Sequence, residues 1–311
     1  MLAALLTTGF FAATAVFARR AASLLGAVPA NCLRLLLATV LLGAWSYFFG
    51  HGFGGGSGWF FASGLCGFGL GGLLMFQALP RAGANLATLV VQCGSAVVAL
   101  LLEWTWLDAV PTGPRLACIA VILAGVVIGV APQNFPRFGR GELLLGVLLA
   151  GLSAVGQGAG QVLSRKAFAV LRATGADADP GTVTFERVLA GLLVAMVALA
   201  YARSVGSHRG ATREPVRPRD FPPATALRAA MPWVVGNALT GPVLGVTCLQ
   251  WALSQPQLHA GVTQSIVALA PLLTAPLALG FGEELPRGRY FAGALLAVGG
   301  TAALFRPWAG L

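Results

Sequence analysis

The sequence predicts an all-α integral membrane protein, with about ten transmembrane helices as two inverted five-helix repeats. Three observations carry this. Hydrophobic residues make up 57% of the chain and charged residues 10%, more apolar surface than a soluble domain can hide. Apolar stretches of bilayer length follow one another along the chain. The last third also repeats part of the first half. Asp108, Pro111, Gly113 and Gly125 are carried by one offset of 175 residues onto Glu283, Pro286, Gly288 and Gly300.

In chain order the apolar stretches lie near 2–18, 28–49, 59–78, 84–106, 113–131, 142–164, 183–201, 231–253, 260–280 and 289–305. The first carries no basic residue ahead of it, and Arg19-Arg20 follow it. A cleavable signal needs the opposite order, so this is read as the first membrane helix. Gly52 to Gly58 is a glycine-rich loop, and Pro132 to Pro136 breaks the chain between repeats 1–131 and 139–308. Ser204 to Pro223 is polar, rich in Arg and Pro, and extramembrane. Five helices per half is an odd number, so the halves insert with opposite orientation. Further correspondences agree: Arg19-Arg20-Ala21 with Arg165-Lys166-Ala167, and Arg34 with Arg187.

The net charge of +10 does not indicate nucleic acid. The arginines sit singly or in short clusters between apolar runs, as topology signals do. The five cysteines all lie in apolar segments without metal-ligand spacing. No HExxH, GxSxG or phosphate-loop pattern appears, so no catalytic residue, metal ligand or cofactor is assigned. The small-xxx-small pairs Gly67 with Gly71 and Gly156 with Gly160 read as helix packing.

At these residues the chain resembles the EamA-type drug/metabolite transporters. Each repeat of that family ends in a Pro-containing helix, a Leu-Gly-Glu-like turn and a Gly-rich helix. Pro271, Gly280 to Glu283, Gly293 and Gly299-Gly300 fit this in the second half. The first half departs, with Ala96 in place of the proline and Leu107-Asp108 in place of Gly-Glu. Arg34 and Arg187 supply the family-like arginine early in the second helix of each repeat. The resemblance implies a transporter, and an exporter of small organic metabolites or amphiphilic compounds is the reading preferred. An intramembrane enzyme acting on a lipid-linked substrate and a non-transporting scaffold are the alternatives. It also implies both termini inside a bacterial inner membrane. The Lys and Arg count of the loops that follow odd-numbered helices argues the reverse, both termini outside, with most of the excess in one loop, 202–229.

Neutral polar groups at membrane depth should face a cavity or another helix. Gln92 and Gln264 lie four and seven residues before the aligned Ala96 and Pro271, one helical turn apart on similar faces, with Asn85, Thr88, Ser95, Thr263 and Ser265 flanking them. Gln157 and Gln161 share a face of the sixth helix, and Asn237, Thr240 and Thr247 add polarity to the eighth. The substrate site is therefore expected among the first, third, fourth, sixth, eighth and ninth helices, lined by Gln92, Gln264, Gln157, Gln161, Asn237, Thr240 and Thr263. Arg34 and Arg187 are candidate gating or anion-facing residues. Glu103 is the one candidate for proton coupling, although Trp104 and Trp106 suggest an interfacial belt where its carboxylate reaches water. The expected partners are a small-molecule substrate, membrane lipid and, as an option, a second copy in a homodimer, with no nucleic acid.

Overall fold

A bilayer core offers backbone groups no water, so apolar stretches of this kind satisfy their N–H and C=O groups as helices. The computed structural model describes residues 1–50, 57–131, 139–208, 224–279 and 288–306, and every regular element among them is helical. The helices are α1 (Leu2–Leu25), α2 (Ala27–Phe49), α3 (Ser57–Gly64, Leu65–Gly71 and Gly72–Ala82 in one run), α4 (Ala84–Trp106) and α5 (Gly113–Val130). They continue as α6 (Arg140–Ala173), α7 (Pro180–His208), α8 (Ala224–Ala238, Leu239–Gly245 and Val246–Ser254), α9 (Ala260–Val267 and Ala270–Leu279) and α10 (Gly288–Leu304). Among the described residues, α1 to α8 are each long and apolar enough to cross a membrane. The ninth is broken, and α10 has 17 residues, about 25 Å.

Several boundaries differ from expectation, among them that of α7, which stays helical to His208, inside the segment 204–223 read as polar connection. The first helix is not short: it runs 24 residues, with Arg19 and Arg20 inside its last turns. Arginine is a good helix former, and its long stem lets the head reach water from a helix end. Two helices turn back through single glycines at positive φ, Gly26 (85°) after α1 and Gly83 (78°) after α3. The sixth helix does not stop at 164 but spans 34 residues, about 51 Å, so Arg165, Lys166 and Arg172 are helical rather than in a loop. The turn at Gly280 to Glu283 and the glycine-rich loop 52–56 fall outside the described residues.

The third and eighth helices each contain a seven-residue π-helical segment, Leu65–Gly71 and Leu239–Gly245. Their starting positions agree with the offset of the sequence repeat to within a residue. In α8, Pro242 lacks the N–H a normal turn needs and would crowd the carbonyl four residues back; widening the turn relieves this. In α3 the segment is Leu-Cys-Gly-Phe-Gly-Leu-Gly, and glycine tolerates the distortion.

Small residues set the packing. A Cβ on Gly160 would lie 3.2 Å from Gly67 Cα, and one on Gly156 would lie 3.3 Å from Gly71 Cα. The two small-xxx-small pairs of the sequence therefore face each other across α3 and α6. Gly125 and Gly293 make the same close approach between α5 and α10. Helices equivalent under the duplication pair in equivalent ways: α2 packs on α7, α4 on α9 and α5 on α10, while α4 on α6 is matched by α9 on α1.

The N-terminus and the end of α10 lie at one end of the bundle. Thr8 of α1 donates to Ile266 O at 3.1 Å and Thr274 of α9 to Ala12 O at 3.5 Å, so α1 runs parallel to α9 and starts where it starts. A Cβ on Gly300 of late α10 would lie 3.2 Å from Cys118 O of early α5. At this end α4, α6 and α8 finish and α9 begins.

Candidate substrate site

Three of the expected lining residues meet in one chain of hydrogen bonds. Gln161 of α6 donates from Nε2 to Gln264 Oε1 of α9 at 2.6 Å. Gln264 donates from its own Nε2 to Gln92 Oε1 at 3.2 Å and to Ser95 Oγ at 2.8 Å, both on α4. Ser95 in turn donates to the Gln92 carbonyl at 3.1 Å. Glycines make the meeting possible: a Cβ on Gly158 would stand 2.8 Å from Ser95 O, and one on Gly261 would stand 2.9 Å from Leu100 Cα. Gln161 and Gln264 are buried, at 4% and 1% exposure. Two polar atoms here have no partner, Gln161 Oε1 and the neighbouring Thr263 hydroxyl. An unfilled buried polar atom costs about 1–3 kcal/mol, and it can accept or donate to a group that enters.

The break in α9 sits beside this cluster. Pro271 has no N–H, and the chain turns through Ala268 and Leu269, where Leu269 N–H bonds Ile266 O three residues back. Ala96, at the aligned place, leaves α4 continuous.

The remaining predicted residues do not join the glutamines in any described hydrogen bond. Gln157 is half-buried against Gly71 of the α3 π segment. Thr240, in the α8 π segment, donates to Gly236 O and so accepts from Thr14 of α1 at 2.8 Å. Asn237, one turn earlier, is buried with its Oδ1 unpartnered. A half-open pocket of about 470 Å³ lies between the end of α6 and the end of α8, bordered by Arg172, Asp177, Asp179, Trp251 and Gln255. None of Gln92, Gln157, Gln161 and Gln264 lines it, so hydrogen bonding rather than void volume marks the candidate site.

Of the two arginines, Arg34 donates to Asn31 of its own helix at 2.7 Å. Arg187 is more deeply placed, at 3% exposure, with its guanidinium 5.7 Å from the Phe68 ring centre and beside Gly67. Its Nε and Nη1 have no partner, nor does Oε2 of adjacent, buried Glu186. Gln250 of α8 is also wholly buried with an unpartnered amide. Sequence reasoning missed Glu186 and Gln250; each is a polar residue near a span end, which composition alone does not separate from an interfacial one.

Glu103 departs from its expected setting. Trp104 and Trp106 are exposed at 53% and 45%, but Glu103 turns inward and is 1% exposed. Its carboxylate pairs with Arg165 Nε at 2.8 Å and accepts the first N–H groups of α9, Ala260 at 2.7 Å and Gly261 at 2.9 Å. Arg165 also donates to Leu258 O, and to Pro256 O at 3.0 Å. Between these, His259 lies 4.0 Å from Glu103. Burial, with Arg165 and Arg115 nearby, holds its imidazole down to about 4. The positive end of α9 acts in the same direction. Arg165 was the residue not foreseen, because a charge at position 165 looks like the end of a span. Its signal was an unpaired acid inside α4 that needed a cation. No cluster of three potential metal ligands occurs among the described residues.

Residues 1–130 match the EamA-like transporter family. This is the half whose turn departs from the family pattern, at Leu107-Asp108. No curated protein matches the chain. A solved crystal structure aligns with a TM-score of 0.72 at 17% identity, covering 98% of this chain and 95% of that one, which identifies a shared fold.

Proposed function

We propose that this chain, whose residues 1–130 match the EamA-like transporter family and whose described residues fold as a multi-span helical membrane protein, exports small organic solutes. The site is the contact between halves, where Gln92, Gln161 and Gln264 meet, with Gln157, Thr263, Asn237 and Thr240 along its walls. Transport is by alternating access between two five-helix halves of opposite orientation, in a bacterial inner membrane. The observation that carries the reading is the amide chain itself. It joins α4 of the first half to α6 and α9 of the second and retains an unfilled polar atom at Gln161 Oε1. The matched π segments and matched helix pairs support the inverted repeat.

The amides carry no charge, and Glu103 is already engaged by a cation and two backbone amides. This favours neutral, zwitterionic or mildly amphiphilic solutes, moved by facilitated diffusion or exchange without a strict proton requirement. Purified protein in liposomes should speed the efflux of at least one such solute class over empty vesicles. Collapsing the pH gradient should leave the initial rate largely intact. A tenfold fall on collapse, reproduced by Glu103→Gln, would assign Glu103 as a proton carrier instead.

A further inference from the structure

The Glu103–Arg165 cluster lies outward of the amides on every helix that carries them. On α6, Arg165 is four residues, one turn or about 6 Å, beyond Gln161. On α9, Ala260 is one turn before Gln264. On α4, Glu103 is eight residues, about 12 Å, beyond Ser95. All three displacements run toward the end of the bundle that holds the N-terminus.

The cluster also joins the halves. Glu103 comes from the first; Arg165, Pro256, Leu258, Ala260 and Gly261 come from the second. Both carboxylate oxygens are used, and the guanidinium holds two carbonyls of the α8–α9 connection. Nearby, Arg172 fixes the end of α8 through Ser254 O at 2.9 Å. A solute approaching the glutamines from this end meets the ion pair first, and this end cannot part without separating it.

We infer that Glu103, Arg165 and the start of α9 form a gate that closes the amide site toward the N-terminal end of the bundle. The inference rests on the alternating-access reading above. An ion pair suits the task. Its separated charges are rehydrated when water enters, so the closed contact is firm in a dry site and reversible in a wet one. The other charged or titratable groups facing it are His259, Arg115 and Arg172, and His259 is neutral near pH 7, adding no charge to the contact.

The test needs no solute. The five native cysteines are replaced by alanine and Ser95→Cys is introduced as a reporter beside Gln264. Labelling by a small, membrane-impermeant thiol reagent is then timed in vesicles of both orientations. Glu103→Gln should raise the rate at least tenfold from the face carrying the N-terminus and leave the opposite face unchanged. Arg165→Lys, which keeps the charge but lacks the fork that reaches both carbonyls, should do the same and serves if Glu103→Gln folds poorly. No rise with either variant, or an equal rise from both faces, overturns the gate. The result is independent of solute flux, so a gate that responds in a protein that moves no tested solute would refute the proposed cargo and leave the gate standing.

Discussion

Among the described residues, Glu103–Arg165 and Arg81–Glu142 are ion pairs that join the first half of the chain to the second, and they sit at opposite ends of the bundle. Glu103–Arg165 is almost fully buried and surrounded by backbone partners. Arg81–Glu142 spans 3.3 Å between the end of α3 and the start of α6, with side chains 34% and 60% exposed. The same charges at similar distances do different work because their dielectric surroundings differ. The exposed pair is screened and contributes about 0–1 kcal/mol. The buried pair is no better than a well-packed apolar contact as a source of stability, but losing one partner strands a charge in a dry site. One end of the bundle is thus held by an all-or-none contact and the other by a loose one.

The largest expected effect follows from breaking the buried pair on one side. Arg165→Ala should destabilise the protein by about 3–5 kcal/mol, seen as a marked drop in melting temperature in detergent. Adding Glu103→Ala should recover part of that loss, because no unpaired charge remains. A double-variant loss equal to the sum of the two single losses would mean that the partners do not interact.

An intermediate effect concerns His259. Its folded pKa of about 4 lies below its ordinary 6.5, so the unfolded chain binds the extra proton first. The stability this neutral imidazole secures is complete above pH 6.5 and lost as pH falls toward 4, by up to about 1.4 kcal/mol per unit. His259→Gln should flatten thermal stability over that window, and a variant with the wild-type slope would place the titration elsewhere. The smallest effect belongs to the exposed end: Arg81→Ala should cost about 0–1 kcal/mol, and the loss should shrink in high salt. A loss matching that of Arg165→Ala would erase the contrast.

Much of this architecture is legible in the sequence. Helix positions follow from apolar length, and Gln92 and Gln264 fall on similar faces one helical turn apart, counted four and seven residues back from the aligned Ala96 and Pro271. Gln161 follows from the i, i+4 rule with Gln157. The opposing glycines of α3 and α6 are visible as spaced pairs. What misleads is the assumption that a charge ends a membrane helix. Arg19 and Arg20 lie within α1, and Arg165 lies within α6 because a carboxylate from another helix receives it. Burial of Glu103 is invisible for the same reason: its partners lie far along the chain. The π segments escape because a glycine run or a proline fixes where a helix can distort, not how its hydrogen bonds rearrange.

Solute flux in proteoliposomes through Gln264→Leu and Gln161→Leu tests the central claim most directly, since leucine is well tolerated in lipid and removes one amide at a time. If the amide chain is the solute contact, both variants remain folded and monodisperse while the flux of the transported solute falls at least tenfold. If both carry it at the wild-type rate, the glutamines are interhelical ties and the solute passes elsewhere.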